Sequence, residues 1–183
     1  MKRYILTGAP GSGKTVILRQ LELEGFAVVE EAATDVIALA QANGNPEPHT
    51  DPAFLDAITS LQKRRCLRAA RLPDKIQFHD RSVICTAALA TYLGFVMPAS
   101  LIEEIQRIRD ENMFENRVFF LQNLGFIART EARRITFEET LRFERVHEQT
   151  YRNFGFEIIY VKPGSVADRV ATIKSAIGHG NEQ

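Results

Sequence analysis

Gly8-Ala9-Pro10-Gly11-Ser12-Gly13-Lys14-Thr15 is the stretch on which the reading of this chain turns. It follows a short apolar run, Tyr4-Ile5-Leu6, and precedes an amphipathic one carrying Val16, Ile17, Leu18 and Leu21. Strand, glycine-rich loop and helix therefore come in the order that G-x-x-x-x-G-K-[ST] requires. Glycines let the backbone curl tightly enough to aim successive N–H groups at phosphate oxygens. The helix opening at Gly13 adds its orphan amides and the positive end of its dipole, so residues Gly8 to Val16 read as an anion cradle. Lys14 is expected to bridge the terminal phosphates of a nucleoside triphosphate, and the Thr15 hydroxyl to hold a magnesium ion.

The rest of the chain is consistent with a small enzyme-sized domain. Its 183 residues are 45% apolar and 25% charged, the balance of a soluble globular domain. One domain is expected over 1–178, with 179–183 as a frayed tail. Basic and acidic residues number 23 each, so bulk electrostatics give no reason to expect nucleic-acid binding. Cys66 and Cys85 have neither metal-ligand nor redox spacing and read as small buried side chains in a reducing compartment. The early apolar run is too short for a signal peptide or a membrane span, so a cytoplasmic protein without membrane contact is expected.

Outward from the loop, the pattern alternates between buried strands and helices. Phe26-Ala27-Val28-Val29 reads as a fully buried second strand ending in Glu30-Glu31, followed by a helix over 32–42. Carboxylates at the carboxyl end of such a strand lie where open α/β sheets bind ligands; they would also favour the next helix N-terminus through its dipole. Asp51-Pro52 opens a further helix that Pro73 stops, with the stripe Leu55, Ile58, Leu61, Ala69 and Leu72. Within it, Gln62-Lys63-Arg64-Arg65 is either a solvated face or a wall of an acceptor pocket. Lys75 to His79 reads as the third strand, and Asp80, which ends it, stands where a magnesium-holding carboxylate belongs; Asp80 or Ser82 could equally cap the next helix. Arg81 beside it could neutralise phosphate charge, while His79 is expected on the other face of the strand.

A helix over 83–93 ends at Gly94, and Ser100-x-x-Glu103 reads as a capping box for the next. Arg117 to Leu121 is the fourth strand. The polar segment 122–135 carries Arg129, Arg133 and Arg134 and reads as a lid able to close over phosphates. Thr136-Phe137-Glu138-Glu139 is a second capping box, Glu157 to Val161 the fifth strand, and 168–177 the last helix. Five strands alternating with helices give an α/β fold, a three-layer α/β/α sandwich around a parallel sheet.

The order of these motifs resembles the nucleoside and nucleotide kinase branch of P-loop proteins. More narrowly, the chain resembles the short AAA-labelled P-loop ATPase family that includes the ribosylnicotinamide kinase domain. The matching stretches are Ile5 to Thr15, Val29-Glu30-Glu31-Ala32-Ala33, Phe78-His79-Asp80-Arg81-Ser82, Arg133 to Glu139 and Tyr151 to Phe156. The resemblance implies a strand order of 2-3-1-4-5, catalytic roles for Lys14, Glu31, Asp80 and Arg81, and an acceptor-side carboxylate at Glu31. Two positions depart from the family pattern: Thr34 stands where members often carry arginine, and Cys85 where many carry a second acid.

The function expected from residues and resemblance together is transfer of the γ-phosphoryl group of Mg-ATP to a hydroxyl of a nucleoside-like acceptor, with GTP as a possible donor. Mg²⁺ would sit between Thr15 and Asp80. Glu31, with Glu30 as second choice, would accept the hydroxyl proton, and Arg81 with one of Arg129, Arg133 or Arg134 would screen charge. The alternative is an ATPase or GTPase switch read by a protein partner.

Overall fold

A computed structural model describes residues 1–124 and 136–178. Five strands, β1 (Lys2–Thr7), β2 (Ala27–Val29), β3 (Ile76–Asp80), β4 (Arg117–Leu121) and β5 (Glu157–Val161), form one sheet. Its order is β2-β3-β1-β4-β5, and every pairing is parallel. The register sets Leu6 opposite Asp80 on one side and Phe119 on the other. The loop after β1 therefore opens at the middle of the sheet, beside the last residue of β3.

Among the described residues seven α-helices flank the strands: α1 (Lys14–Leu23), α2 (Ala33–Ala42), α3 (Ala53–Ala69), α4 (Val83–Leu93), α5 (Ala99–Asp110), α6 (Phe137–Asn153) and α7 (Val166–Gly178). Strand residues alternate between faces, and each face meets its own helices. Tyr4, Leu6, Phe78 and Phe119 pack with Ile17, Leu18 and Leu21 of α1 and with Val170, Ile173 and Ile177 of α7. On the opposite face Ile5 and Val118 pack with Val83 and Ile84 of α4, Leu101 and Ile105 of α5, and Tyr151 of α6. This is the three-layer α/β/α sandwich expected from the alternation. Among the described residues no helix is long and apolar enough to cross a membrane.

Four local readings need correction. β2 is half-buried rather than fully buried, because it forms the edge of the sheet and lacks a neighbour on one side. Val16 is not part of the apolar stripe of α1; it stands 55% exposed beside the glycine-rich loop. Helix α3 ends at Ala69, before Pro73, and leaves Leu72 exposed. Ser100 is no N-cap: it lies inside α5, behind Pro98, and its hydroxyl donates to the Asp56 carboxylate instead. The second capping box forms as read, with Glu139 N–H donating to Thr136 Oγ1 at 3.2 Å and Thr136 N–H to the Glu139 carboxylate at 2.7 Å.

The α4–α6 contact carries a buried polar knot. Tyr151 Oη lies 3.0 Å from Ser82 Oγ and 3.0 Å from Cys85 Sγ, and Cys85 Sγ lies 3.2 Å from Thr7 Oγ1. Tyr151 is fully buried, so removing its hydroxyl leaves those partners with no replacement from water. Tyr151→Phe is expected to cost about 1–2 kcal/mol, read as a lower urea midpoint with an unchanged m-value. A variant as stable as wild type would show that the knot adds nothing to folding.

Candidate active site

Two glycines make the loop after β1 possible. Gly8 has φ +139°, and a side chain there would run into the Leu121 carbonyl; Gly13 has φ +79° and caps α1 without any side-chain hydrogen bond. The first amides of α1 are thus left for a ligand, and an anion suits both their donors and the helix dipole. Ser12 Oγ is buried and has no hydrogen-bond partner among the described residues. Thr15 and Val16 are exposed at the mouth of the loop.

Lys14 folds back on the loop, donating to the carbonyls of Gly8 at 3.0 Å and Ala9 at 3.2 Å. Burial, with the positive Arg81 next in importance, pulls its pKa down to about 8. Asp80 ends β3 with Oδ1 buried and without a partner among the described residues, and burial raises its pKa despite the opposing pull of Lys14. His79 faces the other way, edge-on to Phe114 and 3.8 Å from Cys66 Sγ; burial holds its pKa down to about 3, so it is neutral.

Arg81 joins the two halves of the site. Its backbone has φ +67°, unusual for a residue with a side chain, and is held by its N–H donating to Leu6 O at 2.9 Å. The guanidinium donates to Gly8 O at 3.1 Å and pairs through Nε with Glu31 at 2.6 Å. It also lies over the Phe143 ring, 5.7 Å from its centre. Burial opposes its charge, but Glu31, Cys85 and Asp80 together hold it firmly protonated.

Of the two carboxylates after β2, the fold turns Glu31 inward and Glu30 outward. Glu30 pairs with Arg19 on the surface. Glu31 meets Arg81 and accepts from Thr34 Oγ1 at 2.8 Å. Burial alone would raise its pKa, but Arg81, Lys14 and Thr34 outweigh it and keep Glu31 ionised. Thr34, standing where a resembling protein often has arginine, thus has a definite role. The basic cluster on α3 is divided in function. Gln62 is buried and accepts from Thr86 Oγ1 at 2.9 Å, Lys63 lies 3.4 Å from Glu104, and Arg64 is exposed. Arg65 reaches the β2–α2 turn, donating to the carbonyls of Glu30 and Glu31 and to the Asp35 carboxylate. It secures the turn that presents Glu31, which sequence reasoning could not have found because its partners, two carbonyls and a carboxylate, lie some thirty residues away on another element.

Among the described residues no cluster of three His, Cys, Asp or Glu side chains could hold a metal by itself. The oxygens of Thr15 and Asp80 suit Mg²⁺, which takes few protein ligands and completes its shell with phosphate and water. The unpartnered Asp80 Oδ1 fits that use. Arg129, Arg133 and Arg134, expected on a lid, lie outside the described residues.

Known proteins share this fold. The AAA domain family matches residues 3–169. No curated protein sequence matches the chain significantly. Among solved structures, deoxyadenosine kinase from M. mycoides with the products dCMP and dCDP aligns with TM-score 0.67 at 14% identity, covering 97% of this chain and 99% of that one. Thymidylate kinase from Candida albicans aligns at 0.62 and 11% identity, over 98% and 92%. NadR protein in complex with NR aligns at 0.69 and 16% identity; this chain is covered fully, but spans 51% of NadR. At such identities the likeness is one of fold, and it is the fold of P-loop nucleoside and nucleotide kinases. With the family matching from β1 into α7 and the loop shaped as its glycines require, this chain belongs to the AAA domain family, built on the nucleoside-kinase-like P-loop fold.

Proposed function

We propose that the protein is a magnesium-dependent kinase that transfers the γ-phosphoryl group of ATP to a hydroxyl of a small, nucleoside-like acceptor. The observation that carries this reading is the Glu31–Arg81–Gly8 link. A carboxylate just after β2 stands one guanidinium away from the phosphate loop, at the carboxyl end of the sheet, where open α/β sheets bind ligands. An ionised carboxylate held there by Thr34 and by an arginine-secured turn can take the proton of an attacking hydroxyl.

The loop amides and Lys14, released from the Gly8 and Ala9 carbonyls, would hold the β- and γ-phosphates. Thr15 and Asp80 would hold Mg²⁺, which when bound neutralises charge shared between those phosphates. Glu31, ionised at neutral pH, would take the proton of the acceptor hydroxyl as its oxygen bonds to the γ-phosphorus and the bond to the β-phosphate oxygen breaks. Arg81 would exchange its Gly8 carbonyl contact for the transferred group, its unpartnered Nη1 being the first donor available. Positioning and electrostatics supply most of such catalysis.

Thermal unfolding with Mg·ATP, Mg·GTP and a nucleoside panel tests the reading. A ligand at 100 times its Kd adds about 2.7 kcal/mol, so each binder is visible as a melting shift. A nucleoside that raises melting beyond Mg·ATP alone, and is phosphorylated on incubation, is the expected result. If only the triphosphate stabilises and its hydrolysis is indifferent to every nucleoside, a nucleotide-dependent switch takes the place of the kinase.

A further inference from the structure

Ser12 Oγ, Asp80 Oδ1 and Arg81 Nη1 are buried without partners among the described residues, and the proposed substrates account for all three. Arg169 also has two unpartnered buried nitrogens, Nε and Nη2, and neither substrate accounts for them. It sits in the first turns of α7, is only 4% exposed, and sends Nη1 to the Ser12 carbonyl at 2.8 Å. The two residues are 157 positions apart, so the contact exists only through the packing of α7 against α1.

Its direction is informative. In a trans peptide the C=O and the following N–H point opposite ways. A group bonded to Ser12 O therefore lies behind the loop, opposite the side on which the Gly13 N–H faces a phosphate. A Cβ at Gly13 would come within 2.9 Å of Arg169 Nη1, so the glycine also admits this arginine. Burying a guanidinium with three N–H bonds unpaired lowers folding stability. A residue kept under that penalty is expected where function requires it.

We propose that Arg169 is a positioning residue for the nucleotide: it holds the Ser12–Gly13 peptide in the orientation that presents the Gly13 N–H to phosphate. This rests on reading the loop as the triphosphate site. Arg169 touches the loop from outside, so it acts through that peptide and not on the reacting atoms.

Arg169→Met and Arg169→Lys test it, with three readouts on the full chain. The methionine variant is expected to melt no lower than wild type without nucleotide, since it removes three unpaired N–H donors along with one bond. Its Kd for Mg·ATP, measured by calorimetry, should rise about tenfold, the loss expected for one hydrogen bond from a charged donor. Its Ser12, Gly13 and Lys14 amides should exchange hydrogen faster in the free protein. Lysine, able to reach the carbonyl with a single ammonium, should recover part of the affinity. A methionine variant that melts several degrees lower with Kd and exchange rates unchanged would reduce Arg169 to a packing residue, and so would unchanged exchange alone. If methionine abolishes folding, the lysine variant gives the same readouts, and unchanged Kd and exchange there overturn the proposal. Should wild type bind no Mg·ATP, the kinase reading fails, yet the exchange comparison still decides whether Arg169 holds the loop.

Discussion

Lys14→Met is expected to give a protein that folds, melts no lower than wild type in the absence of nucleotide, and transfers phosphate about 10³-fold more slowly or worse. The stability half follows from the burial of the ammonium. Lys14 is 8% exposed with the like charge of Arg81 beside it, and its pKa falls from 10.5 to about 8. A native pKa below the unfolded one means that the unfolded chain holds the proton more firmly. The penalty is therefore complete below about pH 8 and fades as pH rises towards 10.5. At roughly 1.4 kcal/mol per pKa unit it is on the order of 3 kcal/mol. The two hydrogen bonds to loop carbonyls return part of this, about 1 kcal/mol each. Methionine removes both the penalty and the bonds, so the free protein changes little or gains.

A bound triphosphate reverses the balance, because it gives the ammonium a partner of opposite charge. Wild type should accordingly bind Mg·ATP more weakly as pH rises through 8, the value to which burial brings the lysine. Lys14→Met should lack that dependence and most of the affinity. Thermal unfolding across pH, with and without Mg·ATP, reads both effects. A methionine variant within tenfold of wild-type turnover would remove Lys14 from the chemistry.

Glu31→Gln is the second large effect: turnover falls by about 10²–10⁴-fold while Mg·ATP binds within a few-fold of wild type. Glutamine keeps the shape and can still accept from Thr34, but it cannot take a proton from an acceptor hydroxyl. It also leaves Arg81, 9% exposed at its side chain, without its counter-charge. The Glu31 carboxyl is partly open, so solvent discounts the loss to about 1–2 kcal/mol. The sign of the pH effect is opposite to that of Lys14. Arg81 and its neighbours depress the native pKa of Glu31 below its ordinary 4.5, so its contribution is present above that value and lost as pH falls through the native one. The variant should show its deficit at neutral pH and converge on wild type in acid. Since a γ-phosphate offers Arg81 a new partner, Mg·ATP should restore part of the lost stability. Wild-type turnover in the glutamine variant would exclude Glu31 as the proton acceptor.

How far these residues could be read without coordinates depended on the range of the interaction involved. Gly8 to Thr15 specify their own conformation: positive φ at Gly8 and Gly13, an uncapped helix start and an apolar run before them are all local. The five strands were equally legible, because a parallel sheet buries continuous apolar runs and the turns between carry their own punctuation. Ser100 shows the limit of local reading. Its spacing to Glu103 satisfies a capping box, yet Asp56 on α3 offers its hydroxyl a competing partner that no spacing rule includes. From the residues alone the choice between Glu30 and Glu31 was likewise open, since adjacent carboxylates at a strand end look alike until a neighbour claims one; only the family resemblance favoured Glu31.

The sequence by itself determined a glycine-rich loop of the phosphate-binding pattern, its flanking strand and helix, an alternating α/β chain and a carboxylate pair after the second strand. Those follow from backbone sterics and hydrophobic periodicity, which act over a few residues. Tertiary structure alone decided that Glu31 faces inward to Arg81, that Arg65 secures its turn, that β2 is an edge, and that Arg169 grips the loop from behind. Each depends on which elements the sheet order brings together across tens of residues, and side-chain hydrogen bonds at such separations leave no periodic trace in the chain.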